Sequence, residues 1–279
     1  MKFTKITSPS NPLIRDIVRI KQKPARHNAF LIEGPHLIGM AAASPHVVIG
    51  KVLFTEGFAS KKQGRRLLRL ITHTAVMQRG REVASLAASF FEISENILHK
   101  LADTESPQGI VAVASYSPAK LEEIEFKGAP FLAVCDGIQD PGNLGTIIRV
   151  ADAAGADAAV ILPGTCDIFN PKAVRSTTGS LFNIPIVYSA YDALAGYLDT
   201  RGIKLYLTDV RAEPALYESD LRQPVALAFG GEARGAGASL LEKAHALIKI
   251  PIIGRAESLN VAAAAAVCLY EVVRQRRFS

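Results

Sequence analysis

Three short blocks in the second half of this 279-residue chain hold the side chains best suited to chemistry. They are Asn143-Leu-Gly-Thr-Ile-Ile-Arg149, Phe229-Gly-Gly-Glu232, and Ile250-Pro-Ile252 followed by Ser258-Leu-Asn260. In the first, Asn143 follows the turn-rich Asp136-Gly-Ile-Gln-Asp-Pro-Gly142 and is expected to start a helix. Arg149 lies six residues on, about 1.7 turns at 3.6 residues per turn, so it projects from the second turn. By themselves the two fit a capping asparagine and an arginine paired with Asp152 at i+3.

In the second block, Gly230 and Gly231 allow a close backbone approach to a ligand. The run is neither a dinucleotide fingerprint nor a phosphate-binding P-loop, because the G-x-G-x-x-G and Gly-Lys-Ser/Thr patterns are both missing. A plain strand-to-helix turn with Glu232 exposed is the other reading. In the third, Pro251 cannot donate to a strand ladder, so Ile250-Pro251-Ile252 is expected to offer free backbone to a ligand. Ser258 or Asn260 then caps an alanine-rich helix. Small residues on most faces of that helix let another backbone pack close.

The elements that must position these blocks follow from the apolar pattern. From Pro130 onward, strand-like runs at Phe131–Cys135, Ala158–Leu162, Ile184–Val187, Lys204–Leu207, Val225–Phe229 and Leu247–Ile252 alternate with helical stretches. Such alternation implies a mostly parallel sheet with helices on both faces, where ligands bind outside the carboxyl ends of the strands. Residues 1–115 alternate less regularly and read as a smaller α/β sandwich. Residues 116–129, broken by proline, glycine and charge, read as a linker to a second domain over 130–279.

Composition narrows the function classes. Hydrophobic residues make up 49% of the chain and charged residues 21%, a core-forming balance rather than a disordered one. No apolar run reaches the eighteen or so residues that span a bilayer, and the N-terminus lacks the apolar core of a signal peptide. A soluble, cytoplasmic protein without membrane association is therefore expected. The three cysteines are scattered and the six histidines lack ligand spacing, so no metal is expected. The net charge of +6 is concentrated. One basic cluster runs through Arg15, Arg19, Lys21, Lys23, Arg26 and His27, a second through Lys61, Lys62, Arg65, Arg66 and Arg69, and a third through Arg274, Arg276 and Arg277. Each taken alone fits a solvated helix face. Two in one half favour a polyanionic partner, with Arg15, Lys21, Lys23 and Arg26 as its candidate contacts.

Taken together, the order and spacing of the three blocks resemble the SpoU branch of the SPOUT RNA methyltransferases over roughly residues 130–276. The N-terminal part resembles the substrate-binding domain often attached to that family, through Ile6-Thr-Ser-Pro-Ser-Asn-Pro12, Phe30-Leu-Ile-Glu-Gly-Pro35 and Ser106-Pro-Gln-Gly-Ile-Val-Ala112. The resemblance implies a trefoil-knotted, mostly parallel catalytic sheet and a homodimer whose site draws on both subunits. It implies S-adenosylmethionine as cofactor, held by Thr208, Phe229, Gly230, Gly231, Ile250, Pro251, Ile252 and Leu259. The reaction would be methyl transfer to a ribose 2′-hydroxyl, most readily of ribosomal RNA, with Asn143, Arg149, Glu232, Ser258 and Asn260 as catalytic residues. The family pattern makes Arg149 the base. Arginine offers five donors and no acceptor, which favours a grip on a phosphate beside the target ribose. A tRNA ribose methyltransferase and an inactive RNA-binding relative are the alternatives. The chain departs from the family after Glu232, where Ala233-Arg234-Gly235 stands in place of the common glycine.

Overall fold

The computed structural model describes residues 3–78, 89–231 and 237–278. It divides into two compact units, Met1–Ser117 with Phe169–Val174, and Pro118–Ile168 with Arg175–Ser279.

The first unit is built on a five-stranded sheet of β1 (Thr4–Ile6), β2 (Phe30–Glu33), β3 (Val47–Phe54), β4 (Ser89–Ile93) and β5 (Ile110–Tyr116). Their order is β1-β4-β3-β5-β2, with β1, β4 and β3 parallel and β5 antiparallel to both neighbours. The helix Pro12–Gln22 begins as its sequence dictates, with Asn11 accepting from the Leu13 N–H at 2.9 Å and proline in the first turn. Its Ile14 and Ile17 are buried against Leu31, Leu53, Val111 and Ile97. The second basic cluster lies on the helix Lys62–Gln78, which buries Leu67, Leu68 and Ile71 while Lys62, Arg65, Arg66 and Arg69 stay exposed.

The second unit holds β6 (Phe131–Asp136), β7 (Ala158–Ile161), β8 (Ile186–Tyr188), β9 (Lys204–Thr208), β10 (Val225–Gly230) and β11 (Ala246–Ile248). They form one parallel sheet in the order β11-β9-β10-β6-β7-β8. Every residue of β6 and β7 is buried, as central parallel strands covered on both faces require. Leu132, Val134, Ala226 and Ala228 join a core with Leu194 and Leu198 of the helix Tyr191–Thr200. The helices Pro141–Ala154 and Val261–Arg277 pack against each other and reach β6 and β10.

Two features of this unit set up the site. After β6 the chain moves outward through β7 and β8, whereas β10 is followed by β11 on the opposite side. The connections therefore diverge between β6 and β10, the switch point where open α/β sheets leave a crevice. The second feature is the far end of the helix Val261–Arg277. Arg274 pairs with the buried Glu271 at 2.8 Å, and Gln275 binds Glu271, Ser219 and Leu221. Arg276 donates to the carbonyls of Ala129, Pro130, Leu221 and Gln223. Arg276, one member of the third basic cluster, thus acts as an internal fastener rather than as part of a surface for a polyanion.

No helix among the described residues is long and apolar enough to cross a membrane.

Candidate active site

The carboxyl ends of β6, β9, β10 and β11 share one edge of the sheet, and the expected ligand residues emerge there. Gly230 stands in register with Asp136, the last residues of adjacent strands. Phe229 is completely buried beneath them. Thr208 ends β9 and donates its hydroxyl to the Ala228 carbonyl at 3.3 Å. Gly231 admits no side chain, because a Cβ would lie 2.3 Å from the Gly137 carbonyl oxygen. The backbones therefore meet at Gly137 and Gly231, just past the ends of β6 and β10. Glu232 and Arg234 lie outside the described residues.

Asp136 is a further residue of this edge, one that the three sequence blocks do not include. It is 2% exposed and accepts from the Gly237 N–H at 2.7 Å and from the Tyr191 hydroxyl at 2.7 Å. It ties the end of β6 to Gly237 and to the helix Tyr191–Thr200. Burial, reinforced by this carboxylate, pushes the Tyr191 phenol up to about 12. The signal in sequence was an acid closing an otherwise apolar strand.

The first and third blocks meet. Asn260 caps the helix Val261–Arg277, its side-chain oxygen accepting from Ala262 at 2.9 Å and Ala263 at 3.3 Å. Its amide nitrogen donates to the Asn143 side-chain oxygen at 3.1 Å. Asn260 rather than Ser258 is thus the cap, and Ser258 is an exposed residue of the loop before it. Asn143 does not begin its own helix, contrary to expectation. Asp140 does, accepting from the Asn143 N–H at 2.9 Å, with Pro141 in the first turn.

Arg149 is exposed and stands six residues beyond Asn143, about 9 Å along the helix axis. It does not pair with Asp152, which accepts from the Asn183 amide at 3.3 Å. Its guanidinium donates to the Thr178 hydroxyl at 3.2 Å. Thr178 has a left-handed backbone, φ +51°, a conformation that costs a non-glycine residue about 1–2 kcal/mol.

The strand expected over Leu247–Ile252 stops at Ile248, and Lys249 only bridges to Ala215. Among the described residues, the backbone groups of 250–259 make no hydrogen bond to the protein. Ile253 is 94% exposed and Leu259 40%. A stretch of unpaired amides and carbonyls flanked by aliphatic side chains, continuing from the carboxyl end of β11, suits a nucleoside. The amides can read the edge of its base while the aliphatic groups cover its face.

Of the expected RNA contacts, Arg15, Lys23 and Arg26 are exposed on the first unit. Lys21 is not available in the same way, since its ammonium donates to the Ala102 carbonyl at 2.9 Å and pairs with Asp103 at 2.7 Å. Among the described residues no group of three or more His, Cys, Asp or Glu is placed to hold a metal ion. Burial pushes the thiols of Cys135 and Cys268 up to about 12, which makes both inert core residues.

Comparison with known proteins bears on this arrangement. The SpoU rRNA Methylase family profile matches residues 130–270, and an MRM3-like substrate binding domain profile matches residues 11–112. The chain is 35% identical to the 23S rRNA (guanosine(2553)-2'-O)-methyltransferase RlmP of Bacillus subtilis, over 96% of this chain and 98% of that protein. It is 32% identical to the 23S rRNA (uridine(2479)-2'-O)-methyltransferase of Streptomyces viridochromogenes, over 92% and 86% respectively. The crystal structure of an AdoMet-bound rRNA methyltransferase from Sinorhizobium meliloti superposes with a TM-score of 0.85, at 28% identity and 99% coverage of both chains.

Proposed function

The chain belongs to the SpoU rRNA methylase family, and on that premise we propose that it moves the methyl group of S-adenosylmethionine onto a ribose 2′-hydroxyl of ribosomal RNA. The observation that carries this reading is the Asn143–Asn260 hydrogen bond at the carboxyl edge of the parallel sheet. It joins two distant blocks at the place where the fold would hold a nucleoside.

When bound, S-adenosylmethionine supplies a methyl group already activated by its positively charged sulfur. The backbone of Gly230, Ile250, Ile252 and Leu259 holds it, while Thr208, Phe229, Gly231 and Pro251 shape the crevice. Arg149 grips a phosphate beside the target ribose and so aligns the 2′-hydroxyl for attack. A guanidinium has no lone pair to give, so the acceptor for the hydroxyl proton is the gripped phosphate of the RNA itself. Asn143 and Asn260 fix the substrate side of the crevice, and Ser258 and Glu232 hold the ribose against the methyl donor.

The same reading assigns residues 1–115 to RNA recognition through Arg15, Lys23 and Arg26, 116–129 to a linker, and 130–279 to catalysis. It further takes the catalytic unit as knotted at its C-terminal end and as one half of a homodimer, working in the cytoplasm where ribosomal RNA is made. The small side chains of the helix Val261–Arg277 and its half-exposed Tyr270 favour a close contact with a second chain.

Ribose methylation mapped along 23S rRNA from a strain lacking the gene tests the function. One 2′-O-methyl site is expected to vanish and to return with the wild-type gene but not with Arg149→Ala. An unchanged map in the deletion strain refutes the proposal.

A further inference from the structure

Thr178 occupies a backbone conformation its side chain does not favour. The helix Pro171–Ser176 ends just before it, and its N–H donates to the Arg175 carbonyl at 3.0 Å. Left-handed backbone is common just past a helix end, but glycine or asparagine normally supplies it. The other described non-glycine residue with positive φ is Asn28, of a type that tolerates it. A β-branched threonine is an outlier there, and the chain places a glycine at the very next position, Gly179, with φ +102°.

Closing the turn does not explain the choice. The neighbouring Thr177, fully buried, provides the hydroxyl that accepts from the Gly179 N–H at 3.3 Å. The Thr178 hydroxyl instead accepts from Arg149 at 3.2 Å. Backbone strain persists where the surroundings impose it, and it gathers at working sites.

We propose that Thr178 is a positioning residue for the methyl-transfer reaction, its strained backbone aiming a hydroxyl that fixes the Arg149 guanidinium for the RNA phosphate. One of five guanidinium donors is held by the protein, and the remaining donors keep a defined direction for the substrate. This rests on the reading of Arg149 as the group that touches RNA.

Three full-length variants test it, with a 23S rRNA transcript and S-adenosylmethionine carrying a tritiated methyl group as probes. Thr178→Val keeps the shape and removes the acceptor. Its kcat is expected to fall about tenfold or more, the loss that goes with one hydrogen bond to a charged group. Its affinity for S-adenosylmethionine, read by calorimetry, should stay within about twofold, since the donor pocket is untouched. Thr178→Ser should recover most of the lost rate. Thr178→Gly relieves the strain, so its melting temperature should rise by about 2–4 °C while its kcat falls as far as that of the valine variant. Stability and turnover moving in opposite directions is a result that a purely structural role does not produce. A glycine variant with wild-type kcat overturns the inference, as does a serine variant no better than the valine one. Arg149→Ala separates the two levels. If it turns over normally, the reading of the site itself fails. If it is inactive while Thr178→Val is not impaired, only the positioning role fails.

Discussion

Replacing Asn260 by alanine removes two interactions at once, and each has a size. The side-chain oxygen caps the seventeen-residue helix Val261–Arg277 through the N–H groups of Ala262 and Ala263. Loss of such a cap costs about 1 kcal/mol. The amide nitrogen links to Asn143 at 3.1 Å, and an exposed neutral hydrogen bond adds about 0.5–1 kcal/mol. Together these give about 2 kcal/mol, which for a domain of this size lowers the melting temperature by about 4–8 °C. Asn260→Asp isolates the second term, because aspartate caps as well as asparagine and suits the positive end of the helix dipole. It should melt within about 2–4 °C of the wild type, the worth of the link alone, while methyl transfer falls as far as in the alanine variant. A double-mutant cycle of Asn143→Ala and Asn260→Ala, followed by thermal unfolding, should return a coupling of about 0.5–1 kcal/mol. Additive losses, or an Asn260→Ala protein that melts like the wild type, refute the claim that this residue both caps the helix and joins the two blocks.

Gly231→Ala should disrupt the crevice, since its Cβ would press on the Gly137 carbonyl at 2.3 Å, and weakened S-adenosylmethionine binding by calorimetry checks this. The Tyr191 phenol is held at about 12, above its usual value near 10, so its contribution to stability is complete below pH 10 and fades as pH rises toward 12. Alkaline unfolding of Tyr191→Phe should accordingly depend less on pH in that window. Replacing Arg15, Lys23 and Arg26 together by alanine should lower the salt slope of RNA binding by about 2–3, if each meets one phosphate. Lys21→Ala should leave that slope unchanged and lower the melting temperature instead, because its ammonium is engaged with Asp103 and Ala102.

How much of this was readable without coordinates depended on where the relevant interactions lie along the chain. The strands of the second unit were legible because central parallel strands are continuously apolar, and β6 and β10 begin at the expected residues. The final strand was overextended because Ile250 and Ile252 keep the apolar pattern after the ladder has ended at Ile248. Hydrophobicity that serves a ligand looks the same as hydrophobicity that serves a core. The helix start was displaced to Asn143 because asparagine and aspartate cap equally well. Pro141, directly after Asp140, was the local clue to the true start. The charge clusters were visible, but their use was not. Only tertiary structure shows Lys21 and Arg276 satisfied by groups far along the chain. The Asn143–Asn260 bond and the strained Thr178 are likewise properties of the folded chain.

The most direct test uses the chemistry of the product. A ribose whose 2′-oxygen is methylated cannot attack its own phosphodiester in alkali, so the adjacent bond survives hydrolysis. Wild-type protein, a 23S rRNA transcript and S-adenosylmethionine with a tritiated methyl group should yield tritium in an alkali-resistant dinucleotide. Tritium recovered in mononucleotides, as a methylated base would give, or no transfer at all, contradicts the account.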